Sequence, residues 1–186
     1  MKSVSILPAD SYLVINKSLL NDNDRLVLTL LYQPIVGSIA ISLYLTLWSN
    51  IDKESNMVEY THHYLMNAMN SNLDEVVLAR KKLEALGLIK TYYKNGPTNK
   101  YIYELYSPLN PLEFFSNPIL ASSLLSTIGK KEYQKIINYY KINKINYTGY
   151  ENITSHFSDV YMMSIKNIND VTENDLKSKE KIDIMV

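Results

Sequence analysis

The 186-residue chain contains no cysteine, which excludes disulfides, thiolate-held metals and cysteine nucleophiles and suits a reducing compartment. Glycine is scarce: the five residues, at 37, 87, 96, 129 and 149, all stand singly. A loop that cradles phosphate with successive backbone amides needs clustered glycine. The nearest approach, Gly129-Lys130, is followed by Lys131 instead of Ser or Thr, and Leu124 stands where the first glycine belongs. There are only three histidines. His62 and His63 are neighbours and diverge by about 100° on a helix, so they do not readily share an ion. Glu59 beside His62 reads as a capping contact, and His156 has only Asp159 near it in sequence. The expectation is a non-enzymatic protein with no metal and no cofactor. Net charge is also absent, with 19 Lys+Arg against 19 Asp+Glu. The first residues contain no long apolar core of a secretory leader, so a soluble, cytoplasmic protein is expected.

One long uncharged run is present, from Leu26 to Trp48. About 20 apolar residues cross a bilayer, but Gln33, Pro34 and Gly37 interrupt this run and divide it into two helices too short to span. The second, Ser38 to Ser49, is apolar almost all round and belongs at the centre of the core. Its only polar residues are Ser38, Ser42, Thr46 and Ser49, a stripe that admits a close neighbour from the same fold or from another copy. The sixteen tyrosines fit either partner-contacting surfaces or half-buried positions.

Taken in order, residues 1 to 21 read as an extended arm with a short strand. Asn21 to Asp24 cap a helix through Leu31, and Met57 to Tyr60 form a short strand. Thr61 caps a helix to Asn70 with Tyr64, Leu65, Ala68 and Met69 on one face. Leu73, Val76, Ala79, Leu83 and Leu86 line a second amphipathic helix that ends at Gly87. The β-rich runs LIKTYY and YIYELY flank Asn95, Gly96 and Pro97, a hairpin signal. Short helix, turn, amphipathic helix and hairpin are the order of a winged helix-turn-helix. The fold class is therefore mainly α (α+β), with an extra N-terminal helix and further C-terminal helices. Asn110-Pro111 and Asn117-Pro118 each start a helix; Gly129 stops the second, and Lys130 to Lys141 resumes with Tyr133, Ile136, Ile137 and Tyr140 in a stripe. The expected division is 1–107 for the arm, helix and winged helix, 108–142 for a helical extension packing on it or on another subunit, and 143–186 for a weakly structured acidic tail with a helical patch at 153–163.

Charge is uneven: residues 107 to 150 carry five Lys+Arg against two Asp+Glu, and residues 151 to 186 carry four against seven. Electrostatics therefore favours nucleic acid on the earlier segment. The second winged-helix helix presents Asp74, Glu75, Leu78, Lys81, Lys82 and Ala85 to solvent, with its acidic pair at the end that usually enters a groove. That face reads bases poorly. The wing interleaves Lys90, Lys94 and Lys100 with Tyr92, Tyr93, Tyr101 and Tyr103, which fits phosphate contact with stacking or an ordinary hairpin with aromatic pairs. Candidate DNA contacts are Lys90, Lys94, Lys100, Tyr92, Tyr101, Lys81, Lys82, Lys130, Lys131 and Lys135. Wing and flanking helices also offer a self-association surface, with candidates Tyr93, Tyr103, Phe114, Phe115, Leu120, Leu124, Tyr133, Ile137 and Tyr140. The all-apolar central helix and the helices after the wing exceed what one small core absorbs, so a homo-oligomer is expected.

The segments LYQPIVG (Leu31 to Gly37), SLYLTLW (Ser42 to Trp48), LEALGLI (Leu83 to Ile89), YIYEL (Tyr101 to Leu105) and PLNPLEFF (Pro108 to Phe115) resemble the N-terminal part of the Gram-positive DnaB family of replication initiation and membrane attachment proteins, over roughly residues 6 to 141. This family is distinct from the hexameric helicase of the same name. The resemblance implies a winged-helix domain used for oligomerisation, as a dimer or tetramer, and partners comprising a DnaD-type primosomal protein, the replicative helicase and its loader. Location in the cytoplasm, at the nucleoid or at the membrane through partners is implied as well, whereas the offsetting charges of the second winged-helix helix make any DNA binding weak and sequence-tolerant. The family's later helical domains have no counterpart in this chain. The alternative is a winged-helix DNA-binding regulator.

Overall fold

The computed structural model describes residues 5–51, 58–141 and 146–160. Residues up to Tyr140 form one compact unit, and those from Lys141 form another. In the first, the N-terminal arm is a six-residue strand, β1 (Ser11–Asn16). A reciprocal capping box between Asn21 and Asp24 then opens helix α1 (Asp22–Val27). The helix continues through a π-helical turn (Leu28–Tyr32) into α2 (Gln33–Val36). Pro34 does not end it as expected. The Gln33 N–H bonds back to the Leu28 carbonyl, and the wider turn takes up the proline ring and its missing donor. The break comes at Gly37 alone, whose φ of +88° and ψ of 163° are hardly open to a residue with a Cβ.

Helix α3 (Ser38–Ser49) buries Ala40, Ile41, Leu43, Tyr44 and Leu47 and packs against α2 and the two helices of the winged motif. Ser38, Ile39, Ser42, Leu45 and Ser49 face solvent. The hydroxyl stripe therefore lies on the outer face of this unit, together with Ile39 and Leu45. Trp48 is half-buried, with its ring 5.7 Å from that of Tyr44. Trp48→Ala should therefore destabilise by about 1–3 kcal/mol, below the 3–5 kcal/mol of a fully enclosed aromatic. A denaturant titration that returned the larger value would place the indole in the core.

A two-residue strand, β2 (Tyr60–Thr61), leads into α4 (His62–Met69), capped by the Thr61 hydroxyl. Leu65 and Met69 of the expected face pack on the core, whereas Tyr64 and Ala68 are exposed and His62 is buried, so the helix is turned partly from the expected face. It buries an imidazole that has partners waiting inside. Asn70 (φ 49°) makes the left-handed turn, a conformation asparagine tolerates. A second capping box, Asn72 with Glu75, opens α5 (Leu73–Ala85). Its apolar face is the expected one, with Val76, Ala79 and Leu83 buried. Gly87 (φ 74°) follows, and the wing is β3 (Ile89–Lys94) with β4 (Lys100–Leu105), paired antiparallel from Ile89↔Leu105 to Lys94↔Lys100.

The sheet order is β2-β1-β4-β3, with β1 parallel to β4 in the register Tyr12↔Tyr101 and Val14↔Tyr103. The arm is thus a central strand of the sheet. Tyr12, Val14, Tyr101, Tyr103 and Leu105 are buried on the helix side, and Leu13, Ile15 and Ile102 are half-buried on the opposite face.

The Asn110 side chain caps α6 (Pro111–Ser116), and Asn117 caps α7 (Pro118–Tyr140), which is interrupted at Gly129 (φ 77°, ψ 163°). Phe114, Leu120 and Leu124 are buried in the same core as Leu31, Tyr32 and Val36. The Tyr32 and Phe114 rings meet edge-on at 5.2 Å, and Phe115 meets Tyr133 at 5.8 Å. These helices pack on their own winged helix. One face of these helices is thus taken up within the chain, while Leu112 and Ile119 on them remain exposed. In the second unit, α8 (Phe157–Val160) falls in the expected helical patch; residues 161–186 of the expected tail lie outside the described residues.

Candidate nucleic-acid and self-association surfaces

The turn end of the wing is fastened by buried polar groups. Asp10, 2% exposed, accepts hydrogen bonds from the backbone N–H groups of Leu7 (2.8 Å) and Asn99 (3.2 Å) and from the Asn99 side-chain amide (3.3 Å). His62 lies beneath, with Nδ1 2.8 Å from the Asp10 backbone carbonyl and Nε2 2.6 Å from the Tyr103 hydroxyl. A carbonyl can only accept, so Nδ1 carries the proton and Nε2 receives one from Tyr103. Burial lowers the His62 pKa, opposed by the Asp10 carbonyl and carboxylate and reinforced by Arg80. Tyr12, Tyr101 and Tyr103 surround the imidazole at 5.2–5.9 Å between ring centres. Asp10, Asn99 and His62 carry no sequence motif. They are brought together because β1 is inserted beside the wing.

Several of the expected DNA contacts are already engaged within the chain. Lys90 Nζ donates to the Tyr106 hydroxyl at 2.9 Å and lies 4.7 Å from that ring. The Tyr106 hydroxyl holds the ammonium charged, raising its pKa. Lys100 pairs with Glu59 at 2.5 Å and Lys135 with Glu132 at 2.7 Å, and Lys82 donates to the Val36 carbonyl at 3.1 Å. Tyr92 is half-exposed but donates to Glu104 at 2.9 Å. Tyr101 is 2% exposed, so the expected base-stacking role is corrected: its ring faces His62 and Tyr103. Lys81, Lys94, Lys130 and Lys131 are exposed.

The self-association candidates sort in the same way. Tyr103, Phe114, Leu120 and Leu124 are core residues and have no surface to offer a second copy. Phe115 on α6 contacts both Tyr133 and Tyr140 on α7, and Ile137 is half-buried. Tyr93 keeps 41% exposure, its hydroxyl bonded to Asn95 and Asn99. Apolar surface appears instead on α5, where Leu78 is 56% exposed, and beside it on α3, where Ile39 is 40% exposed. Between them lies a groove of about 190 Å³. Ile39 and Leu45 are exposed on α3, which the sequence did not reveal, since a helix apolar almost all round does not show which side stays uncovered.

Among the described residues no group of three or more His, Asp or Glu is placed to hold a metal ion, and no helix is long and apolar enough to cross a membrane.

The family model described as DnaB N-terminal winged helix domain matches residues 6–186. The chain is 28% identical over 175 residues to the Replicative helicase loading/DNA remodeling protein DnaB of Staphylococcus aureus (strain NCTC 8325 / PS 47), covering 93% of this chain and 37% of that protein. It is 35% identical to the crystallised primosome protein DnaB (residues 1–300) of Geobacillus stearothermophilus, with a TM-score of 0.77 over 83% of this chain and 59% of that one. The chain thus spans less than two thirds of the length of either relative.

Proposed function

The chain belongs to the family of DnaB N-terminal winged helix domains, and from that premise we propose that it is a non-enzymatic oligomerisation scaffold in the initiation of chromosomal DNA replication. In this reading it is part of the primosome that helps load the replicative helicase at the origin. Its partners are other copies, as a dimer or tetramer, a DnaD-type primosomal protein, and the replicative helicase with its loader. It works in the cytoplasm at the nucleoid and reaches the membrane only through those partners.

The observation that carries this reading over that of a sequence-specific regulator is the surface of α5. A base-reading helix presents open hydrogen-bonding side chains to the major groove. This one presents Leu78, an acidic first turn, and a Lys82 that donates to the Val36 carbonyl. DNA contact falls to the wing, where Lys94 and Tyr92 are exposed, and is weak and indifferent to sequence.

Two measurements test it. Light scattering at tens of micromolar should return a multiple of the chain mass; a monomer throughout would remove the scaffold. In salt-titrated DNA binding, Lys90→Ala, Lys94→Ala and Lys100→Ala together should lower affinity for all sequences alike. The salt slope should flatten by at least about 1, since each duplex phosphate contact contributes about 0.9 and Lys94 is the wing lysine not already engaged, Lys90 and Lys100 being held by Tyr106 and Glu59. If those substitutions leave binding intact while Lys81→Ala with Lys82→Ala abolishes preference for one sequence, the regulator is the better account.

A further inference from the structure

The exposed face of α5 has a symmetry of its own. At about 100° per residue, Asp74, Glu75, Lys81 and Lys82 all lie within about 60° of Leu78. The acidic pair precedes Leu78 by four and three residues, and the basic pair follows it by three and four. Asp74 and Lys81 share one flank of the stripe, and Glu75 and Lys82 share the other. Ala85, seven residues after Leu78 and the last residue of α5, is small and exposed and extends the stripe at that end. A two-fold axis through Leu78 that sets two such helices antiparallel therefore brings each acidic residue opposite a lysine of the other copy.

We propose that α5 is a self-association seam, in which two copies pair their α5 helices antiparallel about Leu78. The partner's Lys81 then faces Asp74, and the partner's Lys82 faces Glu75. The two Leu78 side chains meet on the axis, each beside the groove that Ile39 and Ala40 line on the other copy. Such an isologous contact uses one patch twice, and the charge arrangement selects the antiparallel orientation, because parallel helices would place like charges together. Lys82 keeps donor hydrogens to spare beyond its bond to the Val36 carbonyl, since an ammonium has three. The helix dipole alone favours acid at the first turn and base at the last. What it does not account for is a large apolar residue midway between them on the solvent side, beside a second one on α3. The inference rests on the oligomeric scaffold reading and names the surface that would serve it. One helix pair buries less than the 1,200–2,000 Å² or so of a stable interface, so the seam is a weak contact that acts beside others in the assembly.

Sedimentation equilibrium of the whole chain at tens to hundreds of micromolar, in low salt, provides the test. Leu78→Lys should weaken one association step by about 30-fold, from the apolar burial lost at both copies. Asp74→Lys with Glu75→Gln makes the face cationic while retaining a capping-box acceptor. Lys81→Glu with Lys82→Glu makes it anionic. Each charge variant alone should lose that step, and an equimolar mixture of the two should regain it as a hetero-pair that 0.5 M salt dissolves. Far-UV circular dichroism and thermal melting establish that each variant is folded. A wild-type chain that is oligomeric and variants that associate equally well overturn the seam and leave the scaffold standing; a wild-type monomer removes both. If the glutamate variant keeps its mass and loses duplex DNA, the face belongs to nucleic acid and the seam is overturned.

Discussion

Phe114→Ala is expected to destabilise the chain by about 3–5 kcal/mol, the cost of emptying a fully enclosed aromatic site. Phe114 has no exposed surface, meets Tyr32 at 5.2 Å and Phe115 at 5.6 Å, and lies with Leu120 and Leu124 in the core of the winged helix. Leu109, just ahead of α6, donates its N–H to the Tyr32 hydroxyl at 3.1 Å, so the loop entering the helix is fastened to the same ring. The measurement is a chemical denaturation curve, accompanied by a mass determination at the same concentration. Loss of stability in a single transition with the mass unchanged shows that α6 and α7 belong to the fold of each chain. A stable variant whose mass has fallen would instead put Phe114 at a subunit interface.

His62→Ala should cost about 3–4 kcal/mol, for two reasons that add. It empties a buried ring site among Tyr12, Tyr101 and Tyr103, and it leaves the Tyr103 hydroxyl without its partner in the interior, while the Asp10 carbonyl keeps the backbone N–H of residue 62. The same residue makes stability depend on pH. Burial lowers the folded-state pKa below the unfolded value of about 6.5, so as pH falls the unfolded chain takes up the proton first. The neutral imidazole's contribution is whole above about pH 6.5 and declines as pH drops through that value towards the folded pKa. It declines by about 1.4 kcal/mol for each unit of difference between the two states. Urea titrations of the wild type and of His62→Ala between pH 5 and 8 check this: the wild type should lose more stability on acidification than the variant. Equal slopes would mean that the imidazole is reachable by water or already charged in the fold.

The winged-helix order was readable because each of its elements carries local chemistry. Asn72 with Glu75 is a capping box, Gly87 a left-handed stop, and Asn110 and Asn117 each precede a proline that begins a helix. The α5 core face was readable from period alone. Pro34 misled because a π-turn, which depends on the packing of Leu28, Leu31 and Tyr32, is not encoded by a proline by itself. The candidate surface residues fared worst. Tyr101 and Tyr103 alternate with Ile102 along β4, and alternation states that two faces differ without stating which one the helices cover.

The sequence by itself determined the family, the element order, the caps, the absence of cysteine and glycine-loop chemistry, and the balanced charge, since all of these are properties of residue type and short spacing. The tertiary structure alone decided which apolar surface stays uncovered. Strand β1 pairs in parallel with β4 across some 89 residues, and Phe114 closes on Tyr32 across 82, contacts with no local signature because parallel pairing and core closure join segments distant along the chain. Those two closures consume Tyr103, Phe114, Leu120 and Leu124 as core. Among the described residues of the first unit they leave Leu78 and Ile39 exposed on the outer side of α3 and α5.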